Sequence, residues 1–359
     1  AGWFMKAAQY SNYTNAAAAF VSTNSICQGQ QVPILWPLIF KTGNEITFAH
    51  TSFKWKNLAS HNAGVTVVIV GISNQAGKTR RLFSIGENGK TIEKKAENIN
   101  AYLISANQVI VHKRSKSLSE ISFMESGAKA TDGSNLIVEP EIYRKLKDSN
   151  DNAVDFIRLF KGSAEFIRGL QRYCIWIPED EKAKAIQNKF ILDRVEKTAE
   201  TRRQSTKKIT REELSLIPHR FEFMGNAGQD RVVVIPAVSS EVREWHPCGL
   251  LKNGSIVSNL AFASYNAPLW NLSLIASRIH LVWIKAVCGQ FETRIRYSNT
   301  LGWNTFPVPT LTSKNKEDLT RCAEDILITR ERHFPATIVD LYDPDNMPED
   351  LRQAHDRND

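Results

Sequence analysis

The sequence predicts an α/β fold in which the closing part of a doubly wound sheet precedes a mixed α+β domain and a small helical tail. Three observations carry that expectation. Apolar runs at 16–21, 46–49 and 65–72 are short and bounded by polar residues, as strands are. A mostly apolar helical stretch, 28–40, separates the first run from the second, which gives a strand–helix–strand order. Beyond about residue 130 the texture turns to mixed strands with basic residues and tryptophans, and beyond 310 to helical periodicity.

Residues 2–10 (GWFMKAAQY) read as helix. Ala16 to Val21 reads as a strand buried on both faces, and Ser22 to Ser25 as a turn. Gln28 to Phe40 reads as a helix, with Pro33 in its first turns and a kink at Pro37. Ile46 to Ala49 and Val65 to Ile72 are the next strands, the second central, joined by an aromatic and basic loop. Residues 71–79 (GISNQAGKT) resemble a phosphate-binding loop, but Ile72 stands where G-x-x-x-x-G-K-[ST] needs its first glycine. Arg80 to Ile85 then alternates like a strand where a helix should open, so nucleotide hydrolysis is excluded. In the tail, residues 313–333 form a helix with Ser313 as N-cap and Leu319, Cys322, Ile326 and Ile328 as its apolar stripe. Tyr342-Asp343-Pro344 makes a turn, and a short helix from Pro348 to about His355 packs on the domain before it. Three modules result: 1–130, 131–310 and 311–359.

A length of 359 residues suits about two to three domains. With 42% hydrophobic and 23% charged residues the chain is globular. Its net charge of +8 and pI near 9.2 fit an anionic partner such as nucleic acid, or serve solubility alone. The five cysteines are scattered without CxxC spacing and the eight histidines lack metal spacing, so neither a disulfide frame nor a metal site is expected. A reducing cytosol, hence a cytoplasmic protein, fits. No run reaches 18 apolar residues, so no membrane association is expected. The chain opens on Ala1 in helix-like sequence, which suggests a piece of something longer.

Four segments are distinctive: VSTNSICQGQQ (21–31), FAHTSFKW (48–55), RYSNTLGWNTFP (296–307) and LYDPDNMPEDLRQAHDRND (341–359). With them the chain resembles, over nearly its whole length, the bifunctional type IIL (MmeI-type) restriction-modification enzymes, whose methyltransferase domain is of the γ amino-methyltransferase class. The family's Tyr-Asn-Thr-Phe-Pro stands here with Trp303 in first place, a change that looks structural. The resemblance implies that residues 1–130 are the C-terminal half of an S-adenosylmethionine-dependent class I methyltransferase sheet. Residues 131–310 would be a target recognition domain for double-stranded DNA. It further implies methyl transfer to adenine N6 with the target base turned out of the duplex, and Phe53 as the aromatic that stacks on it. Lys54 and Lys56 could then meet backbone phosphates, and Trp55 could stack or pack. By local pattern alone, Phe53 and Trp55 could equally cap a sheet edge.

The methyl-donor site of that class needs a glycine-rich FxGxG turn and an acidic residue, and its catalytic loop is [NDS]PP[YFW]. Neither is found. Asn266-Ala267-Pro268-Leu269 resembles the tetrapeptide but lacks the second proline and the aromatic, and Ser264-Tyr265 ahead of it do not form the strand end that the loop needs. In the γ order both motifs would precede Ala1, so the chain alone is expected to be inactive. Its partner would be the missing N-terminal half or an equivalent catalytic protein.

In the second module, Lys189 to Arg211 carries eight basic residues against three acidic, with Phe190, Val195 and Ala199 on one side. Arg202, Arg203, Lys207 and Lys208 read as a phosphate-binding patch, or as a solvated helix face. Ser239, Ser240, Glu241 and Arg243 come after an apolar strand. A guanidinium can grip guanine and a carboxylate can accept from cytosine, although Glu241–Arg243 or Arg243–Glu244 ion pairs are equally open. Arg294 and Arg296 form a further cluster. Three functions remain at this level: part of a DNA adenine methyltransferase, a recognition module acting with a catalytic partner, or a scaffold.

Overall fold

A computed structural model describes residues 1–55, 65–86, 88–225, 231–291 and 293–359. The chain divides into two compact units, Ala1–Ser119 with Val282–Pro307, and Glu120–Leu281 with Val308–Asp359. Residues 282–307, which the sequence grouped with the second module, thus fold with the first.

In the first unit, helix α1 (Gly2–Thr14) leads to strand β1 (Ala18–Thr23), a 3-10 turn at Asn24–Cys27, and helix α2 (Gln31–Phe40). Strands β2 (Glu45–Lys54), β3 (Thr66–Ser73), β4 (Arg80–Ile85) and β5 (Thr91–Ala96) come next. One sheet holds all five strands in the order β1-β3-β2-β4-β5. Strand β3 runs antiparallel to both β1 and β2, whereas β2 and β4 are parallel. All residues of β3 except Ile69 are buried, as its β-branched run requires. At Gly71 a Cβ would fall into the ring of Phe48 on the neighbouring strand, so only glycine fits there. Trp36, fully buried, anchors α2 by donating from Nε1 to the Ile26 carbonyl at 2.8 Å. Phe4 lies edge-on to it with centroids 5.9 Å apart.

Two expectations are corrected here. Strand β1 is not buried on both faces: its residues alternate between half-buried and exposed, with Val21 51% exposed. Among the described residues it pairs only with β3, and small apolar side chains look buried in a sequence whether or not anything covers them. Strand β2 also outruns Ala49, continuing to Lys54, because pairing with β3 resumes at Phe53 after a shift in register.

Among the described residues, two small sheets lie wholly within the second unit. Strand Val232–Pro236 lies between Gly249–Leu251 and Ala261–Tyr265, which pairs in turn with Glu125–Ser126. Ser264 and Tyr265 end that strand, but it is not the strand end that a catalytic loop of this class needs. That strand is antiparallel to its neighbours and belongs to this unit, not to the sheet of the first. The other sheet joins Ile157–Lys161 to Tyr173–Ile175 and Ile256–Val257. Helix Lys189–Arg203 contributes Ile191 and Val195 to the core beside it. In the tail the long helix spans Ser313–Arg332, and its cap is Thr312 rather than Ser313: Thr312 Oγ1 accepts from Asn315 N at 3.2 Å while Asn315 Oδ1 accepts from Thr312 N at 3.1 Å. Its inner face is Ala323, Ile326, Thr329 and Arg330, and Ile328 points outward at 53% exposure. The last helix runs Glu349–Asn358.

Burial lowers the pKa of four histidines in this unit, His219, His246, His280 and His355, and so weakens the fold toward acid. Burial pushes His246 down to about 4 and His280 to about 3, so both stay neutral in the fold at pH 7. In the unfolded chain each takes up a proton near pH 6.5. Stability is therefore full above that value and falls as pH drops from about 6.5 toward 4, by up to about 1.4 kcal/mol per pH unit for each histidine. Urea unfolding at a series of pH values checks this: a profile flat between pH 7 and 5 would mean that these imidazoles charge without cost inside the fold.

Candidate nucleic-acid interface

The carboxyl end of β2 is bent out of register. His50 pairs with Ile69 and Phe53 with Val67, so Thr51 and Ser52 crowd into the space of one residue. Such a bulge re-aims the side chains beyond it. Phe53 emerges half-buried, as a strand residue rather than a loop residue, which corrects the sequence placement. Its ring centroid lies 4.6 Å from that of His50 at 59°, and 6.4 Å from Trp55. His50 is itself fixed, since its Nδ1–H donates to the Thr51 carbonyl at 2.9 Å. Lys54 and Trp55 are exposed, Trp55 at 41%. Lys56 lies outside the described residues.

Thr51 and Ser52 line a cavity of about 310 Å³ together with Gln28, Tyr102, Lys285 and Gln290. The motif VSTNSICQGQQ builds its other wall. Asn24 Nδ2 and Gln28 Nε2 both donate to Gln290 Oε1, at 3.1 and 3.0 Å, and Gln290 N donates back to Gln28 Oε1 at 3.2 Å. Gly29 takes φ +55°, and a Cβ there would stand 3.5 Å from the Gly289 nitrogen. These contacts seat the hairpin of Gly289–Phe291 and Arg294–Arg296 on the first unit. Arg294 is half-buried and Arg296 exposed on that hairpin. The sequence singled out the motif without a role for it. The signal was a run of amides around a glycine, which reads as polar loop until its partner some 260 residues later is in place.

The NTLGWNTFP segment is structural. Asn304, 2% exposed, donates from Nδ2 to the Arg114 carbonyl at 2.8 Å, and Leu118 N donates to the Asn304 carbonyl at 2.7 Å, so it holds the extended chain of residues 105–119.

In the second unit the cationic candidates separate. Arg202 is 1% exposed and donates to five main-chain carbonyls, those of Ala130, Thr131, Leu214, Ile217 and Arg220, at 2.7 to 3.0 Å. Every arm of the guanidinium is spent inside the fold, so the expectation of a phosphate contact at Arg202 is corrected. Burial also lowers its pKa. Arg203, Lys207 and Lys208 remain exposed, with Lys208 3.9 Å from Glu212. Ser239 is buried and accepts from Arg243 Nη1 at 3.2 Å, Arg243 is half-buried, and Glu241 is exposed. Glu244 is engaged by Arg352 at 2.6 Å. Among the described residues no group of three or more His, Cys, Asp or Glu could hold a metal ion, and no helix is long and apolar enough to cross a membrane.

Comparison with known proteins places three family models in succession along this chain. The MmeI DNA-methyltransferase domain matches residues 1–84, the MmeI target recognition domain 105–310, and the MmeI C-terminal domain 311–359. "DNA methyltransferase A" of Bacillus subtilis (strain 168) is 38% identical over 357 residues, covering 99% of this chain and 40% of the relative. A solved structure of the type IIL restriction-modification enzyme MmeI in complex with DNA matches with TM-score 0.92 at 33% identity, over 99% of this chain and 48% of that one. The chain thus spans less than half the length of either relative.

Adjacent arginines give a direct test of the corrected assignment. Arg202→Met should cost about 3 kcal/mol or more in urea unfolding, because five main-chain carbonyls lose their donor. Arg203→Met should change stability by no more than about 0.5 kcal/mol. Equal losses would contradict the burial difference.

Proposed function

Because the chain belongs to the MmeI family, which unites DNA-methyltransferase, target recognition and C-terminal domains, we propose that it serves site-specific methylation of adenine N6 in duplex DNA. The observation that carries this is Phe53: an aromatic ring at a bulged strand end, backed by His50, with exposed Lys54 and Trp55 beside it. Methyl transfer to an exocyclic amine requires the base out of the stack, and a flat apolar partner stabilises it there. Phe53 would stack on that base while Lys54 and Lys56 meet the strained phosphates. The second unit would read the site, Glu241 and Arg243 at base edges and Arg203, Lys207 and Lys208 at phosphates; Arg294 and Arg296 of the first unit would add further phosphate contacts.

The methyl donor S-adenosylmethionine supplies an electrophilic methyl group when bound, but the described residues do not fit its site. In the first unit the left-handed glycines Gly29, Gly43 and Gly89 do not form an FxGxG turn after a parallel strand. Asn266, the nearest thing to the catalytic tetrapeptide, sits at φ 51° between an antiparallel strand and helix Trp270–Ile275 of the second unit. The chain alone is therefore proposed not to transfer methyl groups, and to need a catalytic portion carrying those motifs. That same lack favours a second reading, a recognition module working with a separate catalytic partner. The free cysteines, of which Cys27, Cys174, Cys248 and Cys288 are buried, support a reducing, cytoplasmic setting.

Binding to duplex DNA carrying 2-aminopurine across a salt series, with wild type and Phe53→Ala, tests the proposal. We expect a log–log salt slope of several units, and a base-extrusion signal that Phe53→Ala abolishes while affinity falls about tenfold. A signal unchanged in the variant would remove Phe53 from the flipped base. Methyl transfer by the chain alone would overturn the proposed lack of a donor site.

A further inference from the structure

We infer that the C-terminal helix Glu349–Asn358 is a positioning element for the loop after the short strand Val238–Ser239, and so helps set which bases that loop selects. The inference rests on the proposed reading of Glu241 and Arg243 as base-edge contacts.

The loop presents an exposed tip on a locked base. At the tip Glu241 is exposed and Val242 is 59% exposed. On one side of it, buried Ser239 holds Arg243 through its hydroxyl. On the other, Trp245 is fully buried and its ring stacks on His355, centroids 4.7 Å apart and planes 25° apart. Its Nε1 donates to Asp359 Oδ2 at 2.9 Å. Between tip and anchor, Glu244 accepts from Arg352 Nη1 at 2.6 Å. The Arg278 guanidinium lies 4.5 Å from the Trp245 ring and donates to Asp356 Oδ1 at 2.6 Å, which ties the last helix to the same indole. Where the loop ends, Arg330 donates to the Cys248 carbonyl and to Tyr342 Oη, which is hydrogen-bonded to His355 Nε2 at 2.7 Å.

A helix that served only as packing would bury apolar side chains against whatever lies beneath it. This one buries Leu351 and Ala354, but it also sends Arg352 and His355, with Asp359 just past its end, to two successive loop residues, Glu244 and Trp245. Base discrimination needs its side chains held to a fraction of an ångström, and a loop tip gains that only from a rigid support. The last helix supplies it from a part of the chain that itself has no need to touch DNA.

The test uses the full chain with Arg352→Ala/Asp359→Ala, and Arg352→Lys as the conservative variant that keeps a cation for Glu244. Hydrogen exchange without DNA reads the clamp, and selection from a random duplex pool reads the consequence. We expect faster exchange confined to residues 239–246 in the double variant. We also expect about tenfold weaker preference at one or two base positions, with the salt slope unchanged. Arg352→Lys should restore most of both. Wild-type exchange at the loop, or wild-type base preference despite a loosened loop, would overturn the inference, as would a variant that merely melts earlier. A wild type that enriches no motif overturns the base-reading premise, and the inference with it, by a result distinct from any change in the variants.

Discussion

A main-chain carbonyl taken out of water must find a donor, and in this chain side chains from remote segments supply it. Arg202 does so for five carbonyls of the second unit, Trp36 for Ile26, Asn304 for Arg114, and Arg330 for Cys248. The strands here are short, several of only two or three residues, so ladders satisfy only part of the backbone. Irregular segments are held in one conformation because a buried amide, indole or guanidinium reaches into each of them. Remove one such donor and its carbonyls lose their partner together.

Remote side chains also shape both candidate contact regions, there by bonding to other side chains. In the first unit the Asn24–Gln28–Gln290 amides fasten the Arg294–Arg296 hairpin, and the bulge at Thr51–Ser52 turns Phe53 onto His50. In the second, Trp245 and Glu244 are gripped by the last helix, leaving Glu241 at an exposed tip. Both arrangements set exposed polar or aromatic groups on a rigid base, as recognition of a patterned polyanion requires.

Neighbouring residues of one type do opposite work. Arg202 and Arg203 are adjacent on one helix, yet one is sealed among carbonyls and the other faces solvent. Charge counting treats them alike, because the count holds no information on which way a helix is rotated against its core. The apolar residues Ile191, Val195 and Ala199 do define that rotation, and Arg202 continues their stripe three residues on. The helical period, carried one step past Ala199, already marks Arg202 as inward-facing and Arg203 as outward-facing.

Local periodicity and short linear motifs were enough to reveal the α/β character, the course of the central strand, the strand at Arg80–Ile85 that excludes a phosphate loop, the helical tail, and the family. Such signals survive without knowledge of what packs where. Other features became visible only once the chain was folded: that β1 is half-exposed, that Phe53 belongs to a bulged strand, that Arg202 is a buried hub, and that residues 282–307 fold with the sheet. Those outcomes depend on which distant segment covers a surface or satisfies a carbonyl, and that pairing is a property of the closed chain rather than of any stretch of it.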